Sequence, residues 1–346
     1  MSLRFAAIDI DHRHIFDHIA GLIAAGGTFV GYTSPSTAPD VVEEVRRRWP
    51  AAKALARDSI LEDRSIEIVC TSAVPRERAG VAIAAMRAGK DVMVDKPGVT
   101  TAAQLEQVEA AVRQTGRIFS ICFTERLCVR AAERAGELIA AGAIGKVVQT
   151  MGVGPHRLNR AMRPDWFFEP EAAGGILTDI ASHQIDQFLF YTDSKTAEIV
   201  ASTIGNYGAP QNPRFQDFGQ VLLQSATATG YIRVDWFTPD GLPTWGDGRL
   251  TILGTEGTIE LRKYVDIAGR PGGDHLFLVD RDGVRHIDCS AVKLTYFDRF
   301  AADVRERTET AMPQRHVFET MRLALEAQAR ANGAHMDASC PGGAGR

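Results

Sequence analysis

Cysteine is scarce in this 346-residue chain: Cys70, Cys122, Cys128, Cys289 and Cys340 stand apart, with no CxxC pair. Five scattered residues exclude a disulfide framework and read as buried, reduced thiols of a cytoplasmic protein. Charge of either sign is also not in excess. Lys and Arg number 39 against 43 Asp and Glu, for a net charge of −4, so no electrostatic footprint suggests nucleic acid or an anionic membrane as partner. Nowhere does an apolar run approach the roughly 20 residues that cross a bilayer. Met1-Ser2-Leu3-Arg4-Phe5 enters a strand-like run without the layout of a signal peptide. What is present is the 45% hydrophobic and 24% charged content of an ordinary globular protein. The length exceeds one typical core, which implies two domains.

The first third alternates strand and helix. Apolar runs at Phe5–Ile8, Thr28–Tyr32, Ile66–Cys70, Asp91–Val94 and Ile118–Ile121 are separated by helical stretches. Gly89 and Gly116 fall where helix C-termini need a left-handed residue. Short connections in βα order predict a doubly wound parallel sheet over residues 1–122. After Phe123 the pattern changes to longer alternating runs near Val147–Val153, Ala197–Ile204, Gly219–Ser225, Gly230–Phe237, Leu250–Ile252 and Thr258–Leu261. Few helices intervene, so residues 123–346 read as an α+β domain on a large, mostly antiparallel or mixed sheet. The class is α/β.

Two segments carry chemistry. Val92-Met93-Val94-Asp95-Lys96-Pro97 is a buried strand that delivers a carboxylate, an ammonium and a rigid proline to its C-terminal end, the end where open α/β sheets hold ligands. Ala173-Gly174-Gly175-Ile176-Leu177-Thr178-Asp179 continues to His183, a glycine break followed by a helix with acid and base four residues apart. On a helical wheel, Asp179, His183 and Asp186 oppose an apolar stripe of Leu177, Ile180, Ala181, Ile185, Phe188 and Leu189. Taken alone this is the solvated side of an amphipathic helix; beside Lys96 it is an acid, a base and a cation suited to proton transfer. His12, His14 and His18 offer an HxxxH without a third nearby ligand. They read as surface or loop histidines, and no metal is expected.

These segments resemble those of the Gfo/Idh/MocA family of nicotinamide-dependent sugar and polyol dehydrogenases. Gly89-Lys90-Asp91-Val92-Met93-Val94-Asp95-Lys96-Pro97 is similar to the family's GKHVxxEKP, with Asp for Glu. Gly174-Gly175-Ile176-Leu177-Thr178-Asp179 with His183 and Asp186 is similar to GGGxLxDxGxHxxD, and Ala141–Val147 to the GxIG(R/K)V turn between them. The resemblance implies a Rossmann-like first domain, NAD or NADP as cofactor, and oxidation of a secondary alcohol of a sugar, inositol or related polyol, or reduction of the ketone. It assigns Lys96 to the reacting hydroxyl, His183 as general base, and Asp179 to orient the hydroxyl or the imidazole. Cofactor contacts fall on Asp9, Asp11, His12, His14, Ser34, Ser72, Arg78, Asp95 and Lys96; substrate contacts on Arg126, His156, Arg157 and Trp166. A homodimer or homotetramer paired through the second sheet is expected. The same resemblance admits a lyase or glycosidase that uses bound NAD transiently, and a non-catalytic ligand-binding relative.

Where the family carries G-x-G-x-x-G, this chain has Asp9-Ile10-Asp11-His12-Arg13-His14. Asp, Asp and His take all three glycine places, and two carboxylates there repel a diphosphate. The second strand ends in Tyr32-Thr33-Ser34 without the acid that binds an adenosine ribose, and Arg78 replaces a histidine after the fourth strand. Arg157 and Trp166 read equally as packing of a long connection. The aromatic stretches 235–241 and 244–248 suit a loop over a site or an oligomer contact.

Overall fold

The computed structural model describes residues 2–33 and 36–339. The chain forms two compact units, each assembled from separate stretches. The first gathers Met1–Cys128, Pro164–Gly174 and Leu294–Met321; the second Val129–Arg163, Gly175–Lys293 and Arg322 onward. A single cut near residue 122 therefore describes only the first crossing of the chain.

The first unit is built on β1 (Arg4–Ile8), β2 (Thr28–Tyr32), β3 (Lys53–Ala54), β4 (Ile68–Thr71), β5 (Asp91–Asp95) and β6 (Phe119–Cys122). They lie in the order β3-β2-β1-β4-β5-β6, every neighbouring pair parallel. This is the Rossmann order, whose direction reverses between β1 and β4. All residues of β4 and β5 are buried, as continuous apolar strands covered on both faces must be. Local signals set the helices: Thr101 accepts from Gln104 N–H at 3.2 Å to cap Ala102–Thr115, and Gly116 ends it at φ 63°. A helix at Tyr296–Glu306, not read from the sequence, packs on Ile15–Ala24. A Cβ at Gly21 would lie 2.4 Å from the Phe297 ring, so glycine is what lets the two helices approach. Gln314 occupies the free edge of β6: its Oε1 accepts from Phe119 N–H at 3.0 Å and its Nε2 donates to Phe119 O at 2.9 Å. The side-chain amide thus satisfies backbone groups that an edge strand leaves open.

The second unit holds β7 (Val147–Pro155), β8 (Glu198–Gly205), β9 (Phe218–Gln224), β10 (Thr229–Asp235), β11 (Arg249–Gly254), β12 (Gly257–Arg262), β13 (His275–Asp280) and β14 (Gly283–Asp288). Their order is β14-β13-β12-β11-β7-β10-β9-β8, antiparallel except for β7 beside β10. One face packs Leu250, Ile252, Ile259, Leu261, Leu276 and Leu278 against Ala131, Ala132 and Ala135 of the helix Arg130–Ala140. The opposite face carries Met151, Leu222, Leu253, Val279 and Val284, each at least 40% exposed. Alternation by twos produces both faces. β14 escapes the sequence reading because its residues are almost all exposed and it gains its partner only by pairing with β13.

Candidate functional site

In the first unit the site grows from the C-terminal ends of β1, β4 and β5. Ser72, directly after β4, clamps the first βα turn: its carbonyl accepts from Asp11 N–H at 3.1 Å and its hydroxyl donates to His12 O at 3.0 Å. Asp9 holds φ 52°, the left-handed conformation that glycine normally supplies in such a turn and that Asp tolerates better than most residues. The two carboxylates of the turn are engaged within the unit. Asp11 Oδ1 accepts from Ser36 Oγ at 2.9 Å, Thr37 N–H at 2.5 Å and Thr37 Oγ1 at 2.9 Å. Asp9 Oδ2 lies 3.3 Å from an Arg57 guanidinium nitrogen, yet burial still raises the Asp9 pKa. Asp11 therefore faces residues 36–37.

Asp95 ends β5 fully buried and collects three cationic or donor groups. Arg78 NH2 is 2.9 Å from Oδ2, His12 Nδ1 3.3 Å from Oδ2, and His14 Nδ1 2.8 Å from Oδ1. Burial alone pushes this carboxyl up; Arg78, His14 and His12 outweigh it and hold its pKa well below the usual range. Arg78, buried at 1% exposure, also donates to the carbonyls of Ala73, Asp95, Lys96 and Pro97. It shapes the strand end that presents Lys96, itself only 6% exposed. Burial, with the charge of His14, lowers the His12 pKa to about 3 and leaves that imidazole neutral. His18 departs from the surface reading: it is fully buried, and burial lowers its pKa to about 4. Arg126 is buried in the short helix Thr124–Leu127. Trp166 Nε1 donates to Thr37 Oγ1 at 3.2 Å, which ties it to the Asp11 turn. Ser34 lies outside the described residues.

In the second unit the glycine break leads into a π-helical turn, Leu177–Ala181, and then the α-helix Ser182–Tyr191. Such wide turns recur at functional sites and upset a wheel drawn at 100° per residue. Asp179 is half-buried, while His183 and Asp186 are buried at 1% and 0% exposure. The polar side of this helix is therefore not a solvated face. Gly152 and Gly154 of β7 admit Gln184, whose atoms would lie 2.8 Å from a Cβ at either position.

Arg157 donates to the carbonyls of Pro239 and Leu242 and so holds the turn after β10. His156 joins an aromatic group that spacing alone did not reveal: its ring centroid is 4.5 Å from Trp245 and 5.2 Å from Trp236, and Trp245 is 4.6 Å from Tyr264. The Arg163 guanidinium lies 5.0 Å over Trp236 and within electrostatic reach of Asp179. Arg163 thus packs beside the candidate residues Asp179 and His156, a placement that the sequence hinted at only through its position beside Trp166.

Residues 29–123 match the family described as oxidoreductase family, NAD-binding Rossmann fold, and residues 132–260 match the Gfo/Idh/MocA C-terminal domain. A crystal structure from Erwinia carotovora atroseptica SCRI1043, described as an oxidoreductase, is 45% identical with TM-score 0.92, covering 96% of this chain and 99% of that one. Levoglucosan dehydrogenase of Pseudarthrobacter phenanthrenivorans is 29% identical over 43% of this chain and 39% of its own length. The NADP(+)-dependent scyllo-inositol 2-dehydrogenase IolW of Bacillus subtilis is 28% identical over 42% and 41%. The matches thus span about two-fifths of the length of these curated relatives. With both of its domains matched and a solved relative aligned almost end to end, the chain belongs to the Gfo/Idh/MocA oxidoreductase family.

Proposed function

We propose that this protein is a cytoplasmic NAD(P)-dependent oxidoreductase that interconverts a secondary alcohol and a ketone on a sugar, inositol or related polyol. The observation that carries the reading is the end of β5, where Asp95 and Lys96 emerge buried at the ligand-holding edge of a sheet with Rossmann order. The first turn is compatible with a dinucleotide: Asp9 already takes the glycine-like conformation, and Asp11 is consumed by three donors. His12, His14 and Ser72 would line its seat, with Arg78 and Asp95 shaping it. When bound, the nicotinamide supplies the hydride acceptor.

In the first unit Lys96 Nζ hydrogen-bonds the reacting oxygen and stabilises its developing negative charge. In the second, the His183 imidazole takes the hydroxyl proton and Asp179 orients a neighbouring hydroxyl. Arg126, His156 and Trp166 are assigned to the substrate, and the aromatic group around Trp245 suits stacking against a sugar ring. Two copies pair through the open face of the second sheet, which exposes Met151, Leu222, Leu253, Val279 and Val284.

The test is thermal stability with NAD, NADH, NADP and NADPH in turn, followed by turnover on a polyol and sugar panel. A ligand at about 100 times its Kd stabilises the native state by about 2.7 kcal/mol. Lys96→Ala and His183→Ala should lose turnover and leave cofactor affinity nearly intact. No shift with any of the four dinucleotides refutes the reading. That outcome favours a second one, a ligand-binding relative without hydride transfer, for which the glycine-free turn is the motivating observation.

A further inference from the structure

We infer that His12, His14 and Asp95 form a binding site for a divalent first-row transition ion. One ligand atom from each lies within 4.8 Å of the other two. Four-coordinate zinc sites use bonds of about 2.0–2.2 Å to His nitrogen and carboxylate oxygen, which places neighbouring ligand atoms roughly 3–3.5 Å apart. The His12 Nδ1 to Asp95 Oδ2 separation is 3.3 Å, and His14 Nδ1 is 2.8 Å from Oδ1. Two of the three pairs thus stand near the spacing an ion needs, and the third lies within 4.8 Å. Two imidazoles and one carboxylate suit zinc, cobalt, iron or manganese and disfavour calcium and magnesium, which take oxygen ligands.

Three features around the triad have the character of ligand support. Arg78 holds Asp95 Oδ2 at 2.9 Å and is itself anchored on four backbone carbonyls. Outer partners of this kind orient ligating carboxylates. Arg13, between the two histidines, turns its charge away to Asp40 at 3.0 Å. One helical turn beyond His14, His18 is fully buried and neither ring nitrogen has a hydrogen-bond partner among the described residues. Buried polar groups are rarely left so. His12 and His14 are 25% and 30% exposed, which leaves an entry path and open coordination positions.

The experiment uses the full chain freed of metal by chelation and titrated with Zn²⁺ or Co²⁺ alone, without dinucleotide, so its outcome is independent of the oxidoreductase reading. Calorimetry should report one ion per chain, and Co²⁺ should give visible d–d bands of a nitrogen-containing site. His12→Ala and His14→Ala, both partly exposed, should each weaken binding at least tenfold while circular dichroism matches the parent. His316→Ala, outside the triad, should bind as the parent does. Absence of binding, or equal affinity in the parent and both triad variants, overturns the inference.

Discussion

Arg78→Met tests what holds the end of β5 in place. The substitution keeps most of the side-chain volume but removes the guanidinium from Asp95, which is fully buried, and from four backbone carbonyls. Breaking a buried pair by deleting one partner costs about 3–5 kcal/mol when the remaining charge is left uncompensated; His12 and His14 stay on Asp95, so the loss should fall toward the lower end of that range. The sign of the pH dependence is a sharper readout. In the parent the Asp95 pKa is held below its unfolded value. Its contribution is therefore complete above the unfolded carboxyl pKa and is lost only as pH falls through the depressed folded one. Without Arg78, only His14 and His12 oppose the burial that raises this pKa, so the folded value moves up from its depressed position. The variant should then be penalised at neutral pH and recover part of its deficit on acidification. Urea unfolding at pH 5 and pH 8 measures this. The deficit should be smaller at pH 5, and Asp95→Asn added to Arg78→Met should restore part of the loss at pH 8. A deficit below about 1 kcal/mol, or one that grows on acidification, would refute the reasoning.

Three further outcomes follow from other parts of the molecule. Gly254→Ala places a Cβ 2.0 Å from Ile144 O, a backbone clash that should cost about 1–3 kcal/mol in urea unfolding; unchanged stability would show that the turn before β7 yields freely. Asp303 accepts from Thr308 Oγ1, Thr310 N–H and Oγ1, and Ala311 N–H at 2.6–2.9 Å, and despite burial these donors lower its pKa. Asp303→Ala should therefore destabilise by about 1–3 kcal/mol at pH 7, with the difference shrinking as pH falls below the ordinary carboxylate range; a pH-independent difference argues against the assigned role. Met151→Glu and Leu222→Glu, on the open sheet face, should shift light-scattering mass from dimer or tetramer to monomer. A monomeric parent, or an assembly indifferent to both changes, sinks the proposed pairing.

Much of the fold is legible in the chain because it depends on local regularity. An apolar run at 66–70 locates β4, another after Gly89 locates β5, and alternation by twos locates most of the second sheet. The helix Tyr296–Glu306 and strand β14 were missed for opposite reasons. Tyr296–Glu306 buries its stripe on a distant element, and β14 is polar enough to look like loop until β13 supplies its partner.

The candidate site divides in the same way. Residue types and spacing alone determined that Asp95, Lys96, Asp179 and His183 belong to one family pattern, because such motifs are short and contiguous. Only tertiary structure decided that Arg78, 17 residues before Asp95, closes on its carboxylate, that His12 and His14 converge there, and that Asp11 turns to residues 36–37. It also set the π-helical turn Leu177–Ala181 and the burial of His183 in the helix that follows. These outcomes depend on charge neutralisation and burial among residues distant in sequence, and neither quantity exists until the chain has packed.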